Sequence, residues 1–558
     1  MAETKVTRRA FVGGSLATGV LATLAACGKK SDGGAAGSAA AAAGATFTMN
    51  LNTPKSIDPY NAQEDQGIQV DYQLFDPLTE FDYNKNELVG LAAKSWDVNE
   101  TATEFTFHLV EGAKFHNGEP VNAESFKRAW TRIVDPKSAI ALKFGPSEIG
   151  YHLSMVDGYD ALQKGESKEF TGVVAKDDNT LVVKLNMPYG DFPYVVSHIA
   201  LSPVPKVADT EVETYYYAPV GNGPFKMDGK WEDGQYIHLM RNDDYYGSKA
   251  KISAIHFNLF KDVETAFKEF QAGNLDLVDV PVPQIESTKK DRGVSKDGYN
   301  MSDGQRMLMG AQPATYYLLL NVTKAPFNNA DLRRGVSLAI NRAAITDTIF
   351  KGSRTPAGGL IPPGIDGYRE GAWPYAKYDV AKANEYLDKV APMNGDSRGI
   401  NLTLSYNQDG GHKEIMESII GDLAKVGVTV TSDTPDWTAL LTQYQEGNFE
   451  FGRLGWTADY PIMDNFLYPL LHTDSLEGDN RSGYSNPEFD KMVNEARTTI
   501  DAAERIKKMQ AADDMAGEDS PVIPIMYYCA LYAGSDRVKK LYCNPQKQID
   551  MSSIELSA

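Results

Sequence analysis

Cysteine is scarce in this sequence, which has three in 558 residues, at positions 27, 529 and 543. So few cysteines exclude a small scaffold held together by disulfides, and no Cys/His group has the spacing of a zinc site. Cys529 and Cys543 are compatible with one disulfide bond or with two unpaired buried thiols. No metal ion and no cofactor is predicted.

Basic residues are outnumbered, with 55 Lys and Arg against 75 Asp and Glu, which gives a formal net charge of −20. An acidic surface argues against binding to nucleic acid and against electrostatic adhesion to anionic lipid. Long uncharged apolar runs are missing beyond residue 26, so no membrane-spanning helix is expected in the body of the chain. Residues 46–558 are too many for one hydrophobic core, and two or more lobes are expected.

Motifs of catalysis are also missing, since the sequence has no HExxH, no phosphate-binding loop and no dinucleotide fingerprint. The segment "GDSRG" (395–399) matches GxSxG around Ser397. A nucleophile elbow needs a strand before the serine and a helix after it, whereas here a loop precedes Ser397 and a strand follows. The sequence therefore predicts a protein that is not an enzyme.

Residues 1–26 have the layout of a secretory signal peptide. Lys5, Arg8 and Arg9 precede a short uncharged apolar run that ends in small residues. The stretch around Arg8 and Arg9 resembles a twin-arginine export motif, and a Sec signal remains the alternative.

Leu24-Ala25-Ala26-Cys27 resembles the lipobox of bacterial lipoproteins, which implies a lipid on Cys27. The Gly/Ala/Ser-rich residues that follow, up to 45, predict a flexible tether with a reach of roughly 23 Å. Residues 27–45 are thus interpreted as a lipid-anchored cysteine and a flexible tether. The expected location is the outer face of the cytoplasmic membrane.

Strand and helix patterns alternate from residue 46 to the end of the sequence. Strands are predicted at 47–52, 400–407 and 449–456, and helices begin after Asn122 and after Asn328 or Asn329. One long amphipathic helical stretch is predicted from about 487 to 515. This alternation predicts an α/β fold.

Several blocks resemble the large extracellular solute-binding proteins for oligopeptides and dipeptides, which serve ATP-driven importers. The signature block covers residues 88–130, and Val110 stands there where family members usually carry a basic residue. Later matching blocks, in the family's order, are "GNGPF" (221–225), "PFNNADLRRGVSLAINR" (326–342) and "GWTADYPIMDNFL" (455–467). The resemblance implies a monomeric binding protein that delivers short peptides to the permease of an ABC transporter.

The resemblance also implies a two-lobed, hinged fold of the periplasmic-binding-protein type. Lobe I would comprise residues 46–75, 200–312 and 524–558, and an extra subdomain of this lobe would comprise 76–199. Lobe II would comprise 313–523. The chain would cross the hinge near "QPATYYL" and near "DSPVIP", and the lobes would close around a ligand.

Asp459, in "GRLGWTADYP" (452–461), is the residue whose role most needs an explanation. A carboxylate beside a strand could cap a turn, pair with Arg453 or meet a positive charge from outside. In the oligopeptide-binding proteins, a Trp-x-Ala-Asp-Tyr block supplies the carboxylate that binds the peptide's α-amino group. Trp456 to Tyr460 match it residue by residue, which implies this role for Asp459.

Other ligand contacts follow from the same resemblance. The backbone of Gly455, Trp456 and Thr457 is expected to pair with an extended peptide. Arg453 is expected to meet a peptide carboxylate, with internal pairing as the alternative. The remaining candidates are Gln63, in a loop where relatives place an acidic contact, and the aromatic residues Trp456, Tyr316 and Tyr317, for which a place in the core is the alternative.

The length of the ligand and its chemical class both stay open. Tyr444 stands where some peptide binders have a second arginine, which leaves ligand length undetermined. Relatives of this kind also bind sugars, nickel chelates or haem, so a non-peptide solute is the alternative cargo. A cell-wall hydrolase or an adhesin is the third class of function, and the lack of a credible nucleophile argues against the hydrolase.

Overall fold

The computed structural model describes residues 44–408 and 411–557. The predicted signal peptide, Cys27 and the tether up to residue 43 lie outside these ranges. The described strands are β1 Thr46–Leu51, β2 Thr79–Asp82, β3 Glu87–Gly90, β4 Ala93–Val98, β5 Glu104–Leu109, β6 Val173–Asp177, β7 Thr180–Lys184, β8 Phe225–Met227, β9 Tyr236–Arg241, β10 Ala254–Leu259, β11 Leu277–Asp279, β12 Asn300–Met301, β13 Met307–Leu320, β14 Thr355–Pro356, β15 Ile400–Ser405, β16 Val428–Asp433, β17 Phe451–Thr457, β18 Val522–Gly534, β19 Val538–Tyr542 and β20 Glu555–Leu556.

Helices are interspersed between these strands, as the α/β prediction requires. They are α1 Asp65–Leu74, α2 Ala123–Val134, α3 Ala139–Phe144, α4 Tyr159–Gln163, α5 Phe192–Val195, α6 Val207–Thr210, α7 Val212–Tyr217, α8 Val263–Gln271, α9 Ile285–Arg292, α10 Ala330–Ala339, α11 Arg342–Ala344, α12 Val380–Val390, α13 Lys413–Lys425, α14 Trp437–Gln445, α15 Asp464–Leu471, α16 Pro487–Arg497 and α17 Ala502–Asp519. Among the described residues, no helix is long and apolar enough to cross a membrane.

Local sequence signals explain where several helices begin. Asn122 caps α2 in a capping box with Ser125, and Asn329 caps α10 by accepting hydrogen bonds from the first turn. The single helical stretch predicted at 487–515 is wrong, because α16 ends at Arg497 and α17 begins at Ala502. The Asp501 side chain accepts a hydrogen bond from Glu504 N at 2.8 Å, and this cap starts a second helix.

The largest sheet has 11 strands, in the order β16-β15-β17-β13-β18-β11-β1-β10-β9-β8, with β14 pairing to β18. A separate 4-stranded sheet, β4-β5-β7-β6, lies within the range predicted for the extra subdomain. Smaller sheets are formed by β2-β3 and by β12-β19-β20.

Two long antiparallel strands, β13 and β18, join the two halves of the large sheet. Met307–Ala311 of β13 pair with the second half of β18, and Thr315–Leu319 pair with the first half. The register shifts between these two sets, across Gln312 to Ala314, where Pro313 offers no backbone N–H. This interruption lies in the first segment predicted to cross the hinge.

The buried apolar residues divide along the same lines. One core runs from Phe47 to Leu308 and resumes from Tyr532 to Leu556, with Tyr460 added to it. Two further cores consist of residues between 316 and 526, with Tyr151 added to one of them. A fourth, smaller core combines buried residues between 266 and 307 with Cys529, Leu531 and Ala533. The lobe boundaries given above remain a prediction, which this division of the cores supports.

Cys529 and Cys543 are two separate buried thiols in the structure. The Sγ of Cys529 lies 3.5 Å from the carbonyl of Ala530, and that of Cys543 lies 3.7 Å from the carbonyl of Asn544. Of the two alternatives drawn from the sequence, the structure therefore has the unpaired thiols.

Candidate ligand-binding site

A cavity of about 820 Å³ lies where β17 ends. Its walls come from both predicted lobes. Most of the residues that the sequence singled out line it, namely Gln63, Tyr317, Arg453, Gly455, Trp456, Thr457 and Asp459. Tyr316 is fully buried behind the wall, where its ring packs against the guanidinium of Arg453 at 5.4 Å.

One edge of β17 is open towards the cavity. The strand pairs with β13 along its whole length, but with β15 only at Phe451 and Gly452. Where this pairing ends, the Tyr444 hydroxyl lies 3.0 Å from the carbonyl oxygens of Ser405 and Arg453. Because successive residues of a strand point their backbone groups to opposite edges, those of Gly455 and Thr457 face the same side as the Arg453 carbonyl. Within the described chain, no strand pairs with this edge beyond Gly452.

Position 455 has no room for a side chain. A Cβ at this position would lie 2.6 Å from the hydroxyl of Tyr528, closer than real Cβ contacts. The glycine thus lets Tyr528 lie against β17 and keeps the backbone of this strand accessible from the cavity.

Asp459 follows β17 and is held by the side chain of Asn465, at the start of α15. The Asn465 amide donates to Asp459 Oδ2 at 2.9 Å, while its carbonyl accepts from Asp459 N at 2.8 Å and from the Trp456 indole at 3.1 Å. The Gln546 amide donates to the backbone carbonyl of Asp459 at 2.8 Å. These contacts orient the carboxylate and leave its side chain 12% exposed.

Two buried histidines also face this carboxylate. His198 Nε2 lies 3.3 Å from Asp459 Oδ1, and His152 Nε2 lies 4.0 Å from Oδ2. The two imidazole rings pack at a tilt, with their centroids 4.8 Å apart. Both histidines fall in the range predicted for the extra subdomain: His152 belongs to the 3-10 turn Gly150–Leu153, and His198 caps the 3-10 turn Ile199–Leu201.

The donor atoms of His152, His198 and Asp459 lie within 4.8 Å of one another, as in a metal site. The tautomer of His198 does not fit a metal, however. Its Nδ1 accepts a hydrogen bond from Ala200 N at 3.0 Å, so the ring proton sits on Nε2 and points at Asp459. A nitrogen that carries this proton has no lone pair for a metal ion, and His198 acts as a hydrogen-bond donor to the carboxylate.

The carboxylate is stabilised in its charged form. Burial alone would raise the pKa of Asp459, but His198, His152 and Asn465 bring it below its ordinary value. Burial also lowers the pKa of His152 to about 3, so that this ring is neutral at pH 7. Asp459 is therefore an anion with hydrogen-bond donors around it and no Lys or Arg within ion-pair distance among the described residues.

Arg453 does not pair with Asp459, which removes one of the alternatives drawn from the sequence. Its guanidinium lies between the rings of Tyr316 and Trp437, at 5.4 and 5.3 Å. Its terminal nitrogens make two long contacts of 3.5 Å, to Asn407 Oδ1 and to the Tyr528 hydroxyl. Its Nε is buried without a hydrogen-bond partner in the described part of the chain.

A second arginine, Arg354, lies beside the first and was not found by sequence reasoning. Its guanidinium stacks on Phe350 at 4.0 Å and on Tyr528 at 4.8 Å. Its Nη1 is 3.8 Å from the sulfur of Met526, and its Nε is also buried without a partner in the ranges described. No periodicity or motif marks this arginine in the sequence, because only tertiary structure brings the loop before β14 to the cavity.

Gln63 contacts a buried carboxylate on the other side of the cleft. Its amide donates to Asp479 Oδ1 at 3.0 Å, and the Tyr151 hydroxyl donates to Oδ2 at 2.6 Å. Burial raises the pKa of Asp479 to about 6. These hydrogen bonds join parts of the chain that are predicted to belong to different lobes.

Comparisons with known proteins agree with this geometry. A sequence model of the bacterial extracellular solute-binding proteins, family 5 (its middle part), matches residues 87–477. The oligopeptide-binding protein OppA of Bacillus subtilis is 29% identical over 508 residues, which cover 88% of this chain and 89% of the relative. The dipeptide-binding protein DppE of the same organism is 28% identical over 516 residues and 90% of both chains.

A solved structure is similar over nearly the whole molecule. The crystal structure of Haemophilus influenzae OppA in complex with the peptide RPPGFSPFR has a TM-score of 0.80 and 26% identity, and it covers 93% of this chain and 100% of that one. The two-lobed fold expected from the resemblance is thereby confirmed, and so is the family itself. The chain belongs to the bacterial extracellular solute-binding proteins of family 5.

Proposed function

We propose that this protein captures short peptides in the cavity beside β17 and delivers them to an ABC-type import permease. One observation carries the proposal: Asp459 is a charged, oriented carboxylate at the end of an open strand edge. A partly buried anion without a cationic partner is costly alone and favourable once an ammonium group arrives. The α-amino group of a peptide is such a group.

The open edge of β17 supplies the second half of the site. Backbone groups of Gly455 and Thr457 are available to an extended peptide, which would add a strand to the sheet. With its amino terminus at Asp459 and its carboxyl terminus towards Arg453, the peptide would run antiparallel to β17. Four residue steps separate Arg453 from Thr457, about 13 Å at about 3.3 Å per residue, which suits a short peptide.

The relatives support this cargo. OppA and DppE of Bacillus subtilis are named for oligopeptide and dipeptide binding, and the similar Haemophilus influenzae structure holds a peptide. Backbone pairing gives affinity without reading side chains, which fits binding proteins that accept many sequences.

The test is calorimetric titration of residues 28–558, stripped of ligand, with tripeptides that have a free or an acetylated amino terminus. Wild type and Asp459→Ala are compared, with Asp474→Ala as a control that removes an exposed carboxylate outside the cavity lining. Acetylation and Asp459→Ala should each weaken binding by about 2 kcal/mol or more. The control should leave the affinity unchanged.

Three results separate the alternatives. Loss of affinity in both comparisons supports the α-amino contact at Asp459. Unchanged peptide binding in both would make Asp459 a structural residue. Failure of every peptide to bind would leave the cavity to another solute, such as a sugar, a nickel chelate or haem.

The proposal includes export and a lipid anchor on Cys27, followed by the tether up to residue 45. The support is the sequence of residues 1–45, with its charged start, apolar run and lipobox-like Leu24–Cys27. Expression of the full chain in a bacterium, followed by mass spectrometry of the membrane fraction, should detect a diacylglyceryl group on Cys27. Cys27→Ser should abolish the modification, and an unmodified wild-type Cys27 would refute the anchor.

A further inference from the structure

The two arginines of the cavity form a cluster around one tyrosine. The guanidinium of Arg354 stacks on the ring of Tyr528, and a terminal nitrogen of Arg453 lies 3.5 Å from the Tyr528 hydroxyl. His412, the third basic residue here, lies 3.2 Å from the Tyr316 hydroxyl through its Nδ1. All of these side chains except Tyr316 line the cavity.

The two arginines of the cluster have no carboxylate partner in the described ranges. In the described ranges, neither Arg354 nor Arg453 has a carboxylate oxygen within the 4.0 Å of an ion pair, and the Nε of each is buried without a partner. Asp65, exposed to the cavity, acts on Arg453 only at longer range. Two other cations of the cavity are already paired, since Lys547 lies 3.0 Å from Asp279 and Arg481 lies 3.4 Å from Glu148. The arginine cluster is thus a place for anions from outside.

His412 does not add a third charge. Burial, and then the charges of Arg453 and Arg354, lower its pKa well below the ordinary value, so the ring is neutral at pH 7. The cluster therefore carries two positive charges. A single carboxyl terminus of a peptide neutralises one of them and leaves one buried cation without a counter-ion.

We infer that the cavity prefers peptides that bring two carboxylates to Arg354 and Arg453, namely the carboxyl terminus and the acidic side chain of a C-terminal Glu or Asp. The inference rests on the proposed function, since it requires the peptide's carboxyl end to lie at this cluster. Guanidinium groups suit this role because each presents donors in a planar fork that matches a carboxylate. Stacking on Phe350, Tyr528, Tyr316 and Trp437 fixes both planes in advance, which reduces the entropy lost on binding.

The test compares Ala-Ala-Glu, Ala-Ala-Gln and Ala-Glu-Ala by calorimetry at pH 7 with wild-type residues 28–558. Ala-Ala-Glu should bind about tenfold more tightly than Ala-Ala-Gln, which has nearly the same shape without the charge. Ala-Glu-Ala has the same charge as Ala-Ala-Glu and should be weaker, because its acidic side chain lies one residue away. Equal affinities of the first two peptides would overturn the inference and leave the proposed function intact. Failure of all three to bind would overturn both.

Variants of Arg354 test whether this residue is responsible for the preference for a C-terminal Glu. Arg354→Gln should lose the preference for Ala-Ala-Glu over Ala-Ala-Gln, whereas Arg354→Lys should keep part of it. Arg334→Gln removes one positive charge on α10 outside the cavity lining and should leave the preference unchanged. A preference that survives Arg354→Gln would place the second carboxylate elsewhere and refute the assignment.

A second control addresses Asp409, a carboxylate that is close to His412 in sequence and outside the described residues. The preference for Ala-Ala-Glu should be the same in Asp409→Asn. A marked change in this variant would identify a counter-ion within the protein and contradict the inference.

Discussion

His198 Nε2 lies 3.3 Å from Asp459 Oδ1, while its Nδ1 accepts the backbone N–H of Ala200 at 3.0 Å. The backbone therefore fixes which ring nitrogen carries the proton, and the proton points at the carboxylate. His198 is thus a positioning residue for Asp459. It stabilises the negative charge of Asp459.

Substitution of His198 should show in the pH profile of binding. Because burial alone raises the pKa of Asp459 and His198 opposes this, His198→Ala should raise that pKa. Peptide affinity is full while Asp459 is charged and is lost as the pH falls through its pKa. Between pH 7 and pH 5, His198→Ala should therefore lose several-fold more affinity than wild type, as measured by calorimetry.

The control for this change is His238→Ala, which removes a half-buried histidine on β9 that does not line the cavity. Its pH profile should match wild type. Identical profiles for His198→Ala and wild type would show that His198 does not tune the carboxylate.

At alkaline pH, the affinity should follow the protonation of the peptide's α-amino group. An α-amino group has an ordinary pKa of about 8, and a carboxylate partner raises it in the complex. Affinity should therefore be full below about pH 8 and fall above it, by up to about tenfold per pH unit. In Asp459→Asn the fall should be much smaller, since the neutral amide gains little from the proton. A flat wild-type profile to pH 10 would argue against an ammonium contact at Asp459.

The part of the site on and after β17 could be predicted because it is contiguous in sequence and resembles a block of the family. Arg453, Gly455, Trp456 and Asp459 fall within a few residues, and one strand brings them to the cavity. Helix starts at Asn122 and Asn329 were predictable for the same reason, since a cap is a local interaction.

The rest of the site depends on contacts between distant parts of the chain. His152 and His198 reach Asp459 across more than 250 positions of sequence, and no local pattern distinguishes them from other scattered histidines. In the sequence, Arg354 cannot be distinguished from an exposed loop arginine. Only the structure shows that it packs between Phe350 and Tyr528. The amphipathic pattern continues through the helix break at 498–501, so periodicity alone does not predict the break, which is marked only by the cap at Asp501.

Stability should depend strongly on the buried ion pair between Asp58 and Arg132. The two side chains are 0% and 4% exposed, and Arg132 Nη2 lies 3.0 Å from Asp58 Oδ2. Arg132→Met keeps most of the volume and leaves the carboxylate without its cation, which should cost about 3–5 kcal/mol of unfolding free energy. Urea unfolding followed by circular dichroism measures the loss.

Arg128→Met is the matched control on the same helix, α2. Arg128 is 20% exposed and lies 3.9 Å from Asp209, so its ion pair should contribute less than about 1 kcal/mol. Equal shifts of the urea midpoint in the two variants would contradict the importance of the buried pair.

The two C-terminal cysteines provide a test of the fold around β18. In residues 28–558 they are the only thiols, and burial raises the pKa of Cys529 to about 11 and that of Cys543 to about 12. Because both thiols are protonated and shielded at pH 8, a thiol reagent such as Ellman's reagent should detect neither in the native protein. In concentrated urea without reductant it should detect both, and only one in Cys529→Ala. If the unfolded wild type shows no thiol until a reductant is added, the cysteines form a disulfide bond and the separate thiols of this structure are wrong.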